Sequence, residues 1–121
     1  MNIPRVLVVD DDLSILKFVR ANLEARGYQV LRAIEGEEAI RIAEQEKPDL
    51  LILDIVMPGM DGFEVCRKIR KWSSVPIIML SAREGENDRE KCEACGANDY
   101  LTKPFVLKEL LALVKTLLNK Q

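Results

Sequence analysis

Histidine is absent from this chain. Every mechanism that needs an imidazole of its own is therefore excluded. Cysteine is scarce: Cys66, Cys92 and Cys95 form an odd set without a disulfide-like framework, which points to a reducing cytoplasm. Long apolar runs are missing too. None approaches the ~20 residues a membrane span requires, so no membrane partner is expected. The chain enters its first strand so soon that no targeting segment is expected either. Charge of one sign is not in excess: 18 Lys and Arg against 20 Asp and Glu leave a net −2. That balance gives no strongly basic surface, and no direct nucleic-acid partner is expected. The first strand–helix turn has no glycine-rich phosphate loop, and the sequence holds no internal repeat, low-complexity tract or linker. What is present is 121 residues, 48% of them hydrophobic. That is enough for one packed domain, residues 1–121, and too few for two.

The informative feature is where the apolar runs stop. Val6-Leu7-Val8-Val9 stops at Asp10, Asp11 and Asp12, and Leu50-Leu51-Ile52-Leu53 stops at Asp54. Ile77-Ile78-Met79-Leu80 stops at Ser81, and a shorter segment around Tyr100-Leu101 stops at Lys103. Runs of this kind read as strands buried on both faces, hence a parallel sheet. In such a sheet all C-terminal strand ends share one edge, where ligands bind. Acids, a hydroxyl and an ammonium therefore converge on one rim.

Between the runs lie helical patterns. Leu13, Leu16, Val19 or Arg20, and Leu23 have helical spacing, with Asp11 or Asp12 as cap and Gly27 as the C′ residue. A strand over 28–33 follows, then a helix over 36–47 with Ala39, Ile40 and Ala43 inward, ended by Pro48. The third strand is 49–53. Met57 to Gly62 is turn chemistry, and 63–72 is the third helix. A strand over 75–80, a polar helix over 86–95 closed by Gly96, a strand over 99–102 and a helix over 106–119 complete the chain. Five β-α repeats predict an α/β fold with right-handed crossovers and helices on both sheet faces. The second strand is the poorest, as suits a sheet edge. The fourth helix is the most polar and the best suited to move or meet a partner.

At the rim, two unit charges about 4 Å apart at an effective dielectric near 20 repel by roughly 4 kcal/mol. Asp10, Asp11 and Asp54 cannot all stay ionised at such separations unaided. Either one holds a proton or a cation sits among them. An all-oxygen set favours Mg²⁺ over zinc, and Mg²⁺ keeps several coordination positions open for water or a phosphate oxygen. Lys103 beside acids and a metal suits a ligand that carries negative charge, as a phosphoryl group does. A carboxylate can itself accept phosphoryl as an aspartyl phosphate, and Asp54 is the candidate acceptor.

The strings Val8-Val9-Asp10-Asp11, Asp54-Ile55-Val56-Met57-Pro58-Gly59-Met60-Asp61-Gly62, Leu80-Ser81-Ala82 and Asp99-Tyr100-Leu101-Thr102-Lys103-Pro104-Phe105 follow one another across the whole chain. In that order and spacing they resemble the receiver domain of two-component response regulators. The resemblance implies a flavodoxin-like, doubly wound fold with five strands in the order 2-1-3-4-5 and five helices. It implies that Asp54 is the phosphoacceptor, that Asp10 and Asp11 organise Mg²⁺, and that Asp11, Asp54 and the Val56 carbonyl are direct ligands. Lys103 would bind a phosphoryl oxygen, Ser81 would be the switch hydroxyl, and Tyr100 the aromatic that follows it. The Lys103–Pro104 bond would be cis.

A sensor histidine kinase would be the phosphate donor, and the output would be a change in the face built from the fourth helix, fifth strand and fifth helix. Such a protein is a signalling phosphoprotein rather than an enzyme, with at most slow self-dephosphorylation. Arg83, Asp88-Arg89 and Asp99-Tyr100 are similar to the receivers of winged-helix transcription factors, which dimerise through that face. Asn98 and Leu113 depart from the charged residues usual there. Val56 and Arg83 would flank the acceptor, and an apolar Val56 cannot orient a hydrolytic water, so phosphate loss is expected to be slow.

Plainer readings stand beside these. Asp10 to Asp12 can be only a helix start, Lys103 a solvated lysine, Ser81 a strand end and Tyr100 a half-buried aromatic. Asp61 reads as turn chemistry. Cys92-Glu93-Ala94-Cys95 has redox or metal spacing, but it falls inside a helix with nothing to supply further ligands. Arg67, Lys68, Arg70 and Lys71 read as a solvated face. A different function is an aspartate-nucleophile phosphatase of haloacid-dehalogenase type, with Asp10 as nucleophile and Asp12 as acid. No aspartate follows Lys103 to complete that site.

Overall fold

A computed structural model describes residues 3–82 and 86–119, the side chains of Glu86 and Asn87 excepted. Its elements are β1 (Arg5–Val9), α1 (Leu13–Glu24), β2 (Gln29–Ala33), α2 (Gly36–Glu46), β3 (Leu50–Asp54), α3 (Gly62–Arg70), β4 (Ile77–Ser81), α4 (Glu86–Cys95), β5 (Asp99–Thr102) and α5 (Leu107–Asn119). The sheet is wholly parallel, in the order β2-β1-β3-β4-β5. Elements fall within two residues of the boundaries expected from the sequence, and the poor second strand is an edge strand.

Alternation along the central strands sorts the core into two layers. Val6, Val8, Leu50, Ile52, Ile78 and Leu80 face α1 and α5, meeting Leu16, Val19, Leu23, Leu110 and Val114. Leu7, Val9, Leu51, Leu53, Ile77 and Met79 face the opposite layer, where α2, α3 and α4 supply Ala39, Ala43, Val65, Cys66, Ile69, Cys92 and Cys95. Both faces of β1, β3 and β4 are thus dry, which is why these strands read as continuous apolar runs. Each large side chain buried this way contributes about 1.5–3 kcal/mol.

Local chemistry sets the helix ends. Asp12 caps α1 by accepting from the Ser14 and Ile15 N–H groups at 2.9 and 3.4 Å. Of the apolar positions read on this helix, Val19 rather than Arg20 turns inward. Leu13, at the first helical position, is exposed. Helix α1 ends at Ala25, and Gly27, with φ +90°, makes the turn two residues beyond that cap rather than serving as C′. Lys47 closes α2 in a left-handed conformation just before Pro48. Asp61, read from the sequence as turn chemistry, is the N-cap of α3: its side chain accepts the Glu64 N–H at 2.9 Å. Gly62 follows because space demands it: a Cβ there would run into the Asp54 carbonyl oxygen and the Ile55 Cα. Helix α3 therefore starts hard against the backbone of the acidic strand end, and holds it.

The basic run on α3 departs from a solvated face at one position. Arg67, Lys68 and Lys71 are exposed. Arg70 instead crosses to the end of α4, donating to the Gly96 carbonyl at 2.9 Å and to Asn98 Oδ1 at 2.9 Å. Asn98 Oδ1 also accepts the Ile77 N–H at 2.8 Å. A carbonyl amide side chain at position 98 serves as an internal junction here.

Candidate phosphoacceptor and metal site

Asp10 leaves β1 fully buried, and Asp54 is the last residue of β3, 3% exposed. Because β1 and β3 are paired neighbours, the two carboxyls are brought side by side. Asp11 follows Asp10 and is exposed to solvent. One oxygen from each of Asp10, Asp11 and Asp54 lies within 4.8 Å of the others. Asp10 Oδ1 is partly spoken for by the Asp12 N–H at 2.9 Å, and Asp54 Oδ1 accepts the Val56 N–H at 3.4 Å.

Lys103 enters from the loop after β5. Its Nζ donates to Asp10 Oδ2 at 2.8 Å and lies 3.3 Å from Asp54 Oδ1. Its backbone N–H bonds the Ser81 carbonyl at 2.6 Å, which ties the lysine to the end of β4, and the Lys103–Pro104 bond is cis. The ammonium thus bridges two buried carboxylates. Burial and the charge of Asp10 push Asp54 up from 3.8 to about 6, against the pull of Lys103 and the Val56 N–H. Burial alone would lower Lys103, but its bond to Asp10 and the charges of Asp10 and Asp54 outweigh that and hold the ammonium above the usual lysine value.

Ser81 is buried at the end of β4, and its hydroxyl donates to Asp88 Oδ2 of α4 at 2.7 Å. Tyr100 is half-buried on β5, with the Arg89 guanidinium 5.5 Å from its ring centroid. Both residues singled out for switching therefore touch α4. Val56 has 61% of its surface exposed beside the site. Arg83, the other expected flanking residue, lies outside the described residues.

Sequence reasoning missed two features. Asp88, as the partner of Ser81, left no signal beyond lying on a polar helix. The Cys92/Cys95 spacing shows no further ligand in the sequence. Cys66 of α3 in fact lies against it, with its thiol donating to the Cys95 carbonyl at 3.2 Å.

The response regulator receiver domain family matches residues 6–115. The chain belongs to the receiver-domain family of two-component response regulators. It is 46% identical over 117 residues to the alkaline phosphatase synthesis transcriptional regulatory protein PhoP of Bacillus subtilis, covering 96% of this chain and 49% of that one. The chain thus spans about half the length of that relative. Among solved structures, a Francisella response regulator receiver domain superposes with TM-score 0.92 at 34% identity, covering 97% of this chain and 98% of that one. A CheY-like receiver domain protein from Methanospirillum hungatei superposes with TM-score 0.93 at 30% identity, covering 98% and 96%.

The fold is the flavodoxin-like one of the family, and the domain is a phosphorylation-activated switch of a two-component system. The receiver match leaves the haloacid-dehalogenase reading without support. Receiver domains bind Mg²⁺ at an acidic pocket, and the oxygen-only cluster of Asp10, Asp11 and Asp54 has the donor chemistry for such a hard cation. Among the described residues no helix is long and apolar enough to cross a membrane.

Proposed function

We propose that residues 1–121 form one cytoplasmic receiver domain that accepts a phosphoryl group on Asp54 from a sensor histidine kinase. We propose Asp10, Asp11, Asp54 and the Val56 carbonyl as the groups that hold Mg²⁺. The observation that carries this reading is the Lys103 ammonium bridging Asp10 and Asp54 beside an exposed Asp11.

In the transfer, an ionised Asp54 oxygen forms the new bond to phosphorus while the bond from phosphorus to the donor atom breaks. The donor leaves with its electron pair. Bound Mg²⁺ would supply the positive charge that lets carboxylates and phosphoryl oxygens share one pocket. Lys103 already lies beside Asp54 and can pass from the carboxylate to a phosphoryl oxygen with little movement. Positioning and charge neutralisation are what phosphoryl transfer asks of a protein.

The switch follows from competition for Ser81. At rest its hydroxyl is given to Asp88 on α4. A phosphoryl oxygen on Asp54 would draw it away, release α4, and let Tyr100 move against Arg89 and the face of α4, β5 and α5. Swinging a population from 1:99 to 99:1 takes about 5.5 kcal/mol. One charge-assisted contact is too small for that, so Ser81 and Lys103 act together with the metal. Replacing Asp88 by alanine removes one resting-state contact worth about 1 kcal/mol. The active conformation without phosphate should therefore become about fivefold more populated, read from the NMR resonances of the Tyr100 ring. An unchanged population would separate Asp88 from the switch.

The reading is tested by incubating the chain with acetyl phosphate, with and without Mg²⁺, and mapping the product by mass spectrometry. One phosphoryl group on Asp54, formed only with Mg²⁺, is expected. It should decay over far longer than seconds, because the exposed Val56 side chain offers nothing to orient an attacking water. Modification elsewhere, or uptake without a divalent cation, would overturn the assignment. Sizing of the same samples tests a homodimer through α4, β5 and α5. Among the described residues of that face, neutral Asn98 is bound to Arg70, and Leu113 is neutral as well.

A further inference from the structure

The described part of α4 buries two side chains, and both are cysteines. Cys92 and Cys95 are each 3% exposed, and they pack against Cys66 of α3, which is fully buried. All three are free thiols. The Cys66 thiol bonds the Cys95 carbonyl at 3.2 Å, and the Cys95 thiol bonds the Cys92 carbonyl at 3.1 Å. Arg70, one turn beyond Cys66 on the same face of α3, fastens the Gly96 carbonyl just past α4. The last turn of α4 is therefore held to α3 from two adjacent points, and one of those points is the Cys66 thiol on the Cys95 carbonyl.

We propose that Cys66 and Cys95 are a redox pair, joined by a hydroperoxide into a disulfide that ties α4 to α3. The two thiols are not equivalent. The hydrogen bond from Cys66 draws Cys95 down to about 7, while that same bond and burial push Cys66 up. Burial also pushes Cys92 up to about 12. Cys95 is thus the most acidic thiol of the three, and thiolate character selects the sulfur that is oxidised first.

The Cys95 thiolate attacks the terminal oxygen of the hydroperoxide, the O–O bond breaks, and the departing oxygen leaves as hydroxide or alkoxide and takes a proton from water. Cys95 is then a sulfenic acid. The Cys66 sulfur attacks it, the S–S bond forms, and the sulfenic hydroxyl leaves with the Cys66 proton as water. Two thiols are oxidised and one peroxide is reduced by two electrons. Entry of so small an oxidant needs only local opening of α4, whose hold on the core is thin.

The bond itself is independent of the phosphorylation reading. Its effect on signalling rests on that reading, since a tethered α4 could not follow Ser81. The test therefore contains no phosphate. The whole chain is exposed to hydrogen peroxide, the remaining thiols are alkylated, and peptides are mapped. Expected are a mass loss of two hydrogens, a Cys66–Cys95 linked peptide, alkylated Cys92, and return of all three thiols with dithiothreitol. Cys92→Ser should form the same bond. Cys66→Ser, with folding checked by circular dichroism, should instead leave a Cys95 sulfenic acid that dimedone traps. A Cys92–Cys95 link, disulfides only between molecules, or three thiols left free would overturn the proposal, and the wild-type map decides even if a variant fails to fold.

Discussion

Replacing Lys103 by methionine should destabilise the metal-free domain by about 3 kcal/mol at pH 7.5, because the ammonium is what permits Asp10 and Asp54 to be buried together. Asp10 has no exposed surface and Asp54 has 3%. Without the lysine, two carboxylates face each other across a dry strand edge. The loss should be conditional on their charge. Near pH 4.5, where protonation removes the repulsion, the variant and the parent should differ far less. Mg²⁺ should return much of the lost stability at pH 7.5, since a cation at the same rim takes over the neutralising role. Urea unfolding at the two pH values, with and without Mg²⁺, reads all of this. An equal loss at both pH values would mean that Lys103 acts through packing of its stem and not through its charge.

Asp54→Asn should abolish phosphoryl uptake from acetyl phosphate and at the same time make the metal-free protein more stable at pH 7. The carboxyl has a higher pKa in the fold, about 6, than its ordinary 3.8, so the folded chain binds its proton more tightly than the unfolded one. Stability of the parent therefore falls as pH rises through that interval, where the unfolded state has already released the proton. Asparagine carries no such charge. After allowance for solvent screening and for Lys103 losing one partner, the gain at pH 7 is roughly 1–2 kcal/mol, and it should vanish below pH 4. Thermal melts across pH 4 to 7.5 would show parent and variant curves diverging upward in pH. Curves that run parallel would remove the strain from Asp54. Divergence would fit a site in which readiness for phosphate is kept at the expense of folding free energy.

The acidic rim was legible in the sequence because it breaks a strong rule. Carboxylates at the ends of fully apolar strands are costly, and parallel pairing has a fixed direction, so Asp10, Asp54, Ser81 and Lys103 had to share an edge. Helix bounds were legible to within a residue or two from Asp12, Pro48 and Gly96. What escaped was contact between elements distant in sequence. Cys66 and Cys95 are 29 positions apart, and Arg70 and Asn98 are 28 apart. Periodicity tells which face a residue takes on its own helix. It does not tell which residue of the neighbouring helix will stand opposite. Arg70 looked like its basic neighbours for that reason, and the Cys92/Cys95 spacing looked isolated. The Ser81–Asp88 bond is local, seven positions apart, but it depends on the angle at which α4 returns to β4, which no residue pattern encodes.

The uneven anchoring of the helices divides the molecule by lifetime as well as by position. Helices α1 and α5 are seated by leucines and valines, whereas among the described residues the buried side chains of α4 are two cysteines, joined by polar contacts from Arg70 and Ser81. Amide protons of β1 and β3 should survive in deuterated water until the whole domain opens, while those of α4 are surrendered through small, frequent excursions. The acceptor would then rest on the slowest-exchanging part of the chain, and the message would be read from one of the fastest.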